Sequence, residues 1–83
     1  MYFVYILYSI SKSKCYVGQT NDIIDRLKRH NAGESLSTKY GVPWKLIYSI
    51  ELATRSEAVL LETKIKKRGA KRYLEDIGFY YEV

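Results

Sequence analysis

The sequence predicts one small α+β domain over residues 1–83, a three-stranded antiparallel sheet flanked by helices in the order β-β-α-β-α-α. Three observations carry this. The chain has 83 residues, enough for one domain and no more. Three stretches, Tyr2–Tyr8, Cys15–Gln19 and Trp44–Leu52, are dense in β-branched and aromatic residues and bounded by polar or turn-forming ones. Two helical patterns with good caps lie beyond the second and third of these.

The first strand, Tyr2-Phe3-Val4-Tyr5-Ile6-Leu7-Tyr8, is almost wholly apolar. It lacks the basic flank and small-residue cleavage site of an export signal, and it is far short of the ~20 residues that cross a bilayer. It reads as a buried strand of a soluble protein. Ser9–Lys14 is polar and reads as the loop of a hairpin to Cys15–Gln19, whose Gly18 permits close backbone approach. Thr20, Asn21 and Asp22 offer N-caps to a first helix, with Ile23, Leu27 and His30 recurring on one face and Asn31-Ala32-Gly33 ending it. Residues 33–43 form the longest irregular stretch and the best place for a mobile, ligand-facing loop.

Trp44–Leu52 has strand composition but alternates only roughly. Thr54-Arg55-Ser56-Glu57 then has capping-box form, opening a helix with Ala58, Leu61 and Ile65 on one face and Gly69 as its C-cap. Lys71–Ile77 is long enough for a last short helix. Phe79, Tyr80, Tyr81 and Val83 make an apolar tail that either closes the core or pairs with a second copy.

Charge narrows the partners. Fourteen basic and nine acidic residues give a net charge of +5 and a pI of about 9.4. A field of that sign favours phosphate-rich partners, although a lysine-rich surface gives the same count. Cys15 is the only cysteine, so no internal disulfide forms, which suits a reducing cytoplasm.

Five side chains stand out. Tyr5 and Tyr16 lie at comparable depth on adjacent strands, although most of nine tyrosines must simply pack. At ~100° per residue, Arg26 and His30 project ~40° apart beside the Ile23–Leu27 stripe. There an arginine can grip a phosphate and a histidine can relay a proton, or Arg26 can pair with Asp22 and His30 can be a half-buried helix-end residue. Glu62 falls between Ala58 and Ile65 on the apolar face of its helix. A carboxylate there needs a partner: Arg26, Lys66, a tyrosine hydroxyl, or a hydrated Mg²⁺.

Phe3-Val4-Tyr5 and Tyr16-Val17-Gly18 resemble the two halves of the signature of the GIY-YIG nuclease superfamily. Arg26 and His30 fall where its helix-one arginine and its catalytic histidine or tyrosine stand, and Glu62 resembles its metal-binding glutamate. The likeness covers nearly the whole chain and is greatest to the small stand-alone bacterial members. It implies a metal-dependent endonuclease acting on nucleic acid, DNA in the first instance; the basic side chains form no recognisable base-reading motif, so little sequence specificity is expected, and the short apolar run predicts no membrane attachment. In that reading Tyr16 is the general base, assisted by Tyr5. Glu62 holds Mg²⁺ or Mn²⁺, Arg26 neutralises phosphoryl charge, and His30 shuttles protons. A free phenol is only about one part in a thousand ionised at pH 7, a cost of ~4 kcal/mol that a cation must offset.

Lys28, Arg29, Lys39, Lys66 and Lys67 are the candidate nucleic-acid contacts, with Lys12, Lys14, Arg68, Lys71 and Arg72 extending the basic surface. Targeting could come from a protein partner. Phe3 replaces the glycine of the signature. The late asparagine that several members place after the glutamate is also missing, the last one here being Asn31. That departure supports an alternative: a nucleic-acid-binding module of the same fold with little or no catalysis.

Overall fold

The computed structural model describes residues 1–81. Strand β1 (Tyr2–Ser9) is the centre of a three-stranded sheet of order β2-β1-β3, with β2 at Lys14–Thr20 and β3 at Trp44–Leu52, both antiparallel to it. Its central place explains why β1 does not alternate. Val4 and Ile6 bury one face of the sheet while Tyr5 and Leu7 bury the other.

Helix α1 (Ile23–Asn31) covers the second face, with Ile23 and Leu27, like Tyr16 of β2, packed on the cluster of Tyr5, Leu7 and Trp44. Helices α2 (Arg55–Arg68) and α3 (Ala70–Asp76) cover the first, where Ala58, Ile65 and Leu74 close over Val4, Ile6 and Val17. The element order matches the sequence expectation. The rough alternation of β3 has a specific cause. Ile6 pairs with Tyr48 and Leu7 with Leu46, so Ile47 is the extra residue of a β-bulge and turns into the α2 side of the core.

The caps follow local chemistry. Of the three candidates, Asp22 caps α1, its Oδ1 accepting the Asp25 N–H at 3.0 Å, while Thr20 bonds the Asp22 backbone. Thr54 and Glu57 form the full capping box of α2. Gly69 ends α2 at φ +94°, a backbone that favours glycine, and the Arg68 fork grips Asp76 at 2.7 and 3.0 Å across the α2–α3 corner.

Residues 33–43 depart from the mobile loop expected there. A single 3₁₀ turn at Lys39–Gly41 is stapled to the body. Ser9 Oγ donates to the Gly41 carbonyl at 2.6 Å, the Trp44 indole donates to the Thr38 carbonyl at 2.8 Å, and the Asn31 side chain brackets the Trp44 backbone. These side chains anchor the segment because buried backbone carbonyls require donors. Of the apolar tail, Phe79 and Tyr81 pack on the core and Tyr80 is exposed; Val83 lies outside the described residues. Among the described residues no helix is long and apolar enough to cross a membrane.

Candidate active site at the hairpin edge

The β1–β2 register sets the site. Tyr5 pairs with Gly18 and Leu7 with Tyr16, which puts both tyrosines on the α1 face of the sheet. The Tyr5 ring lies across Gly18. A Cβ at position 18 would stand 2.5 Å from its Oη and 2.6 Å from its Cζ. Glycine is required there by the neighbouring ring and not by its own backbone angles, since its φ is not positive.

From α1, His30 reaches under this pair and is 2% exposed. Its Nε2 lies 3.0 Å from Tyr5 Oη, its Nδ1 lies 2.8 Å from Thr38 Oγ1, and its ring meets the edge of Tyr16 at 5.2 Å. Burial lowers its pKa and the Arg26 guanidinium lowers it further, so the imidazole is neutral at pH 7. Burial likewise pushes the Tyr5 phenol up to about 12; Tyr16 and Glu62 push the same way and Arg26 opposes them. A protonated phenol facing a neutral imidazole gives a consistent assignment: Tyr5 O–H donates to Nε2, and Nδ1–H donates to Thr38.

The same electrostatics bring four sequence candidates together. The phenol of Tyr5 sits within the fields of Tyr16, Arg26 and Glu62 at once. Arg26 and His30, adjacent on the helical projection, part company in depth: His30 is buried, whereas Arg26 is exposed. The expected Arg26–Asp22 pair does not form, because the Asp22 carboxylate caps α1. Arg26 makes no ion pair among the described residues.

On α2, Glu62 finds its partner in Lys66, at 2.7 Å, with 18% of its side chain exposed. Its other oxygen makes no hydrogen bond among the described residues. No cluster of three or more His, Cys, Asp or Glu exists among them either. The donor set therefore suits a hard ion that takes one carboxylate and keeps most of its waters, as Mg²⁺ and Mn²⁺ do, and not a zinc-type site. A divalent cation at Glu62 would also reverse that residue's effect on Tyr5.

The predicted basic contacts are all exposed, but they are not equally free. Arg29 pairs with Asp25 at 2.9 Å, Lys66 with Glu62, and Lys39 lies over the Tyr40 ring. Lys28 and Lys67 make no ion pair among the described residues. Two residues carry no signal of a site role in the sequence. Thr38 sits in an irregular stretch, and its bond to His30, eight positions away, depends on how that stretch folds back on α1. Arg55 reads only as the first residue of a capped helix. In three dimensions it joins Arg26, Gln19 and Asn21 around a cleft of about 290 Å³.

This arrangement of hairpin tyrosines, a helix-borne arginine and histidine, and a carboxylate on the next helix has relatives. Residues 1–74 match the family described as the GIY-YIG catalytic domain. The chain belongs to that family. It is 34% identical over 79 residues to a UPF0213 protein of Bacillus licheniformis, covering 90% of this chain and 80% of that protein. It is 39% identical over 71 residues to a UPF0213 protein of Listeria monocytogenes, covering 84% and 79%. The solution NMR structure of a UPF0213 protein from Bacillus halodurans superposes with a TM-score of 0.57 at 25% identity, over 94% of this chain and 84% of that one. The GIY-YIG chain is thus of a nuclease-type family, and the observed sheet, helices and their order agree with the expected fold.

Proposed function

We propose that this GIY-YIG domain is a metal-dependent endonuclease hydrolysing phosphodiester bonds of DNA with little sequence specificity. One observation carries the reading: a buried, protonated Tyr5, bonded to a neutral His30, stands in the joint field of a second phenol, a free guanidinium and a half-buried carboxylate. Perturbed groups that converge on one another favour catalysis over packing, and Arg26, whose charge acts on Tyr5, also lines an open cleft.

Arg26 and Arg55, flanking one cleft, bind and orient the phosphodiester through fork-shaped donors. Tyr16, half-exposed where Tyr5 is buried, is the phenol that meets the attacking water. As phenolate it takes the water's proton while oxygen adds to phosphorus and the bond to the 3′ oxygen breaks. Tyr5 holds Tyr16 in place and is itself held by His30, whose burial makes it an orienting residue before a shuttle to solvent. Glu62, once released by Lys66, would hold Mg²⁺ or Mn²⁺, which would supply positive charge that offsets the charge building on the phosphoryl group and lowers the cost of a phenolate. The free thiol of Cys15 and the net charge of +5 suit a cytoplasmic protein working on nucleic acid, with any finer targeting left to a protein partner.

The lone carboxylate, already engaged by Lys66, favours a second reading: a binding module with little catalysis. Incubating wild type and Glu62→Gln with nicked, branched and duplex DNA in Mg²⁺, Mn²⁺ or EDTA separates the two. Cleavage by wild type that falls at least 100-fold with the variant and vanishes in EDTA is expected. Cleavage that survives both would end this mechanism, and DNA binding without any cleavage would establish the binding module.

A further inference from the structure

Besides the arginine cleft there is an open groove of about 800 Å³ at the other end of β2. Its wall runs from Tyr16 on β2 to Lys66 on α2, so it begins at the proposed general base and at the partner of Glu62. Beyond these it is lined by Tyr8, Tyr81, Cys15 and Lys71. Tyr8 and Tyr81 are half-exposed and meet at 6.0 Å between ring centroids with a 52° tilt, leaving ring surface towards the groove. Burial raises the pKa of the Cys15 thiol, and the Tyr81 side chain and the exposed Lys71 ammonium lie close enough to oppose that shift in part. Nothing in the reaction described above uses Tyr8, Tyr81 or Lys71.

We infer that this groove binds an unpaired nucleotide flanking the scissile phosphate, its base stacked on Tyr8 and Tyr81 and its phosphate held by Lys71 and Lys66. This deepens the endonuclease reading and rests on it. Aromatic rings interleaved with lysines in a concave track are the pattern of single-strand binding, because every base has a π-face and every linkage a charge. A paired base has its faces covered by its neighbours in the stack and cannot enter. The groove therefore selects frayed, flapped or otherwise single-stranded DNA beside the cut. The arginine cleft draws on one end of β2 (Gln19 and Thr20) and the tyrosine groove on the other (Cys15–Val17), so a strand bound in both passes Gly18, the partner of Tyr5.

The test is binding of fluorescein-labelled dT8, a 16-bp duplex and an octaglutamate peptide to the full chain in EDTA, with fluorescence anisotropy read across a salt series. Wild type should bind dT8 more tightly than the duplex. Lys71→Gln, at an exposed position, should weaken dT8 and lower the slope of log K against log salt by about 0.7. Tyr81→Leu should weaken dT8 about tenfold, and Tyr81→Phe, which keeps the ring, should not. No measurable dT8 binding, unchanged dT8 affinity in both Lys71→Gln and Tyr81→Leu, tighter binding of duplex, or equal binding of the peptide would each overturn the inference. Since these readings need no cleavage, an inactive protein that binds dT8 as expected counts against the enzyme alone. An active one that does not bind it counts against the groove alone.

Discussion

Replacing Gly18 by alanine tests the geometry of the site through a single methyl group. The added Cβ would stand 2.5 Å from Tyr5 Oη, 2.6 Å from its Cζ and 3.2 Å from Tyr16 Cε2. Tyr5 is 3% exposed, so its ring has no open space to swing into and must retreat by about an ångström within the core. Overpacking of this kind costs about 1–3 kcal/mol. Against it, alanine loses less chain entropy on folding than glycine, a gain of about 0.5–1 kcal/mol. The net loss of about 0–2.5 kcal/mol corresponds to a Tm lower by up to about 10–20 °C, at roughly 4–8 °C per kcal/mol for a domain this size. Displacing Tyr5 also stretches its 3.0 Å bond to His30, and a misplacement of about 1 Å near reacting groups can cost about 100-fold in rate. Thermal denaturation followed by circular dichroism reads the first effect, and single-turnover cleavage of branched DNA with Mg²⁺ reads the second. The decisive measurement is a double-mutant cycle with Tyr5→Leu, whose shorter side chain clears position 18. In that background Gly18→Ala should be neutral or stabilising. Gly18→Ala that leaves both Tm and rate unchanged, or that costs as much beside Leu as beside Tyr, would refute the reasoning.

Other expectations follow from the same contacts. His30 is the only histidine and its pKa is lowered in the fold, so below its ordinary value of about 6.5 the unfolded chain takes up a proton that the folded chain refuses. Stability should therefore fall as pH drops from 7 towards 5, and urea midpoints of His30→Gln should lose that share of the slope; equal slopes would be contrary. Thr38→Val should cost about 1–3 kcal/mol by leaving the buried His30 Nδ1 without its partner, while Thr38→Ser should cost far less, as chemical denaturation will show. Glu62→Gln, in contrast, breaks only a pair with an exposed lysine and should change stability by less than about 1 kcal/mol while abolishing metal-dependent cleavage. Arg55→Gln should weaken DNA binding and lower its salt slope by about 0.9 for duplex; an unchanged slope removes Arg55 from the phosphate cleft.

Much of this protein is written in short-range patterns. The β-β-α-β-α-α order, the Thr54–Glu57 capping box, the glycine stop at Gly69 and the place of Glu62 between Ala58 and Ile65 all follow from residues within four positions of one another, where local geometry sets the neighbours. The candidates Tyr5, Tyr16, Arg26, His30 and Glu62 were likewise readable from position and residue type. Their surroundings were not. Whether His30 is buried and Arg26 exposed depends on how far α1 sits over the sheet edge. Whether residues 33–43 are anchored depends on the Asn31–Trp44 clamp at the ends of the segment and on Ser9 of β1, 32 positions from its partner Gly41. The β-bulge at Ile47, which hides the alternation of β3, answers to the packing of both sheet faces. Local propensity and periodicity act along the chain, so residue order alone specifies the elements and the candidate groups on them. Depth, protonation and long-range partners are set later, because desolvation and contact between residues such as Tyr5 and His30, 25 positions apart, exist only once the layers close.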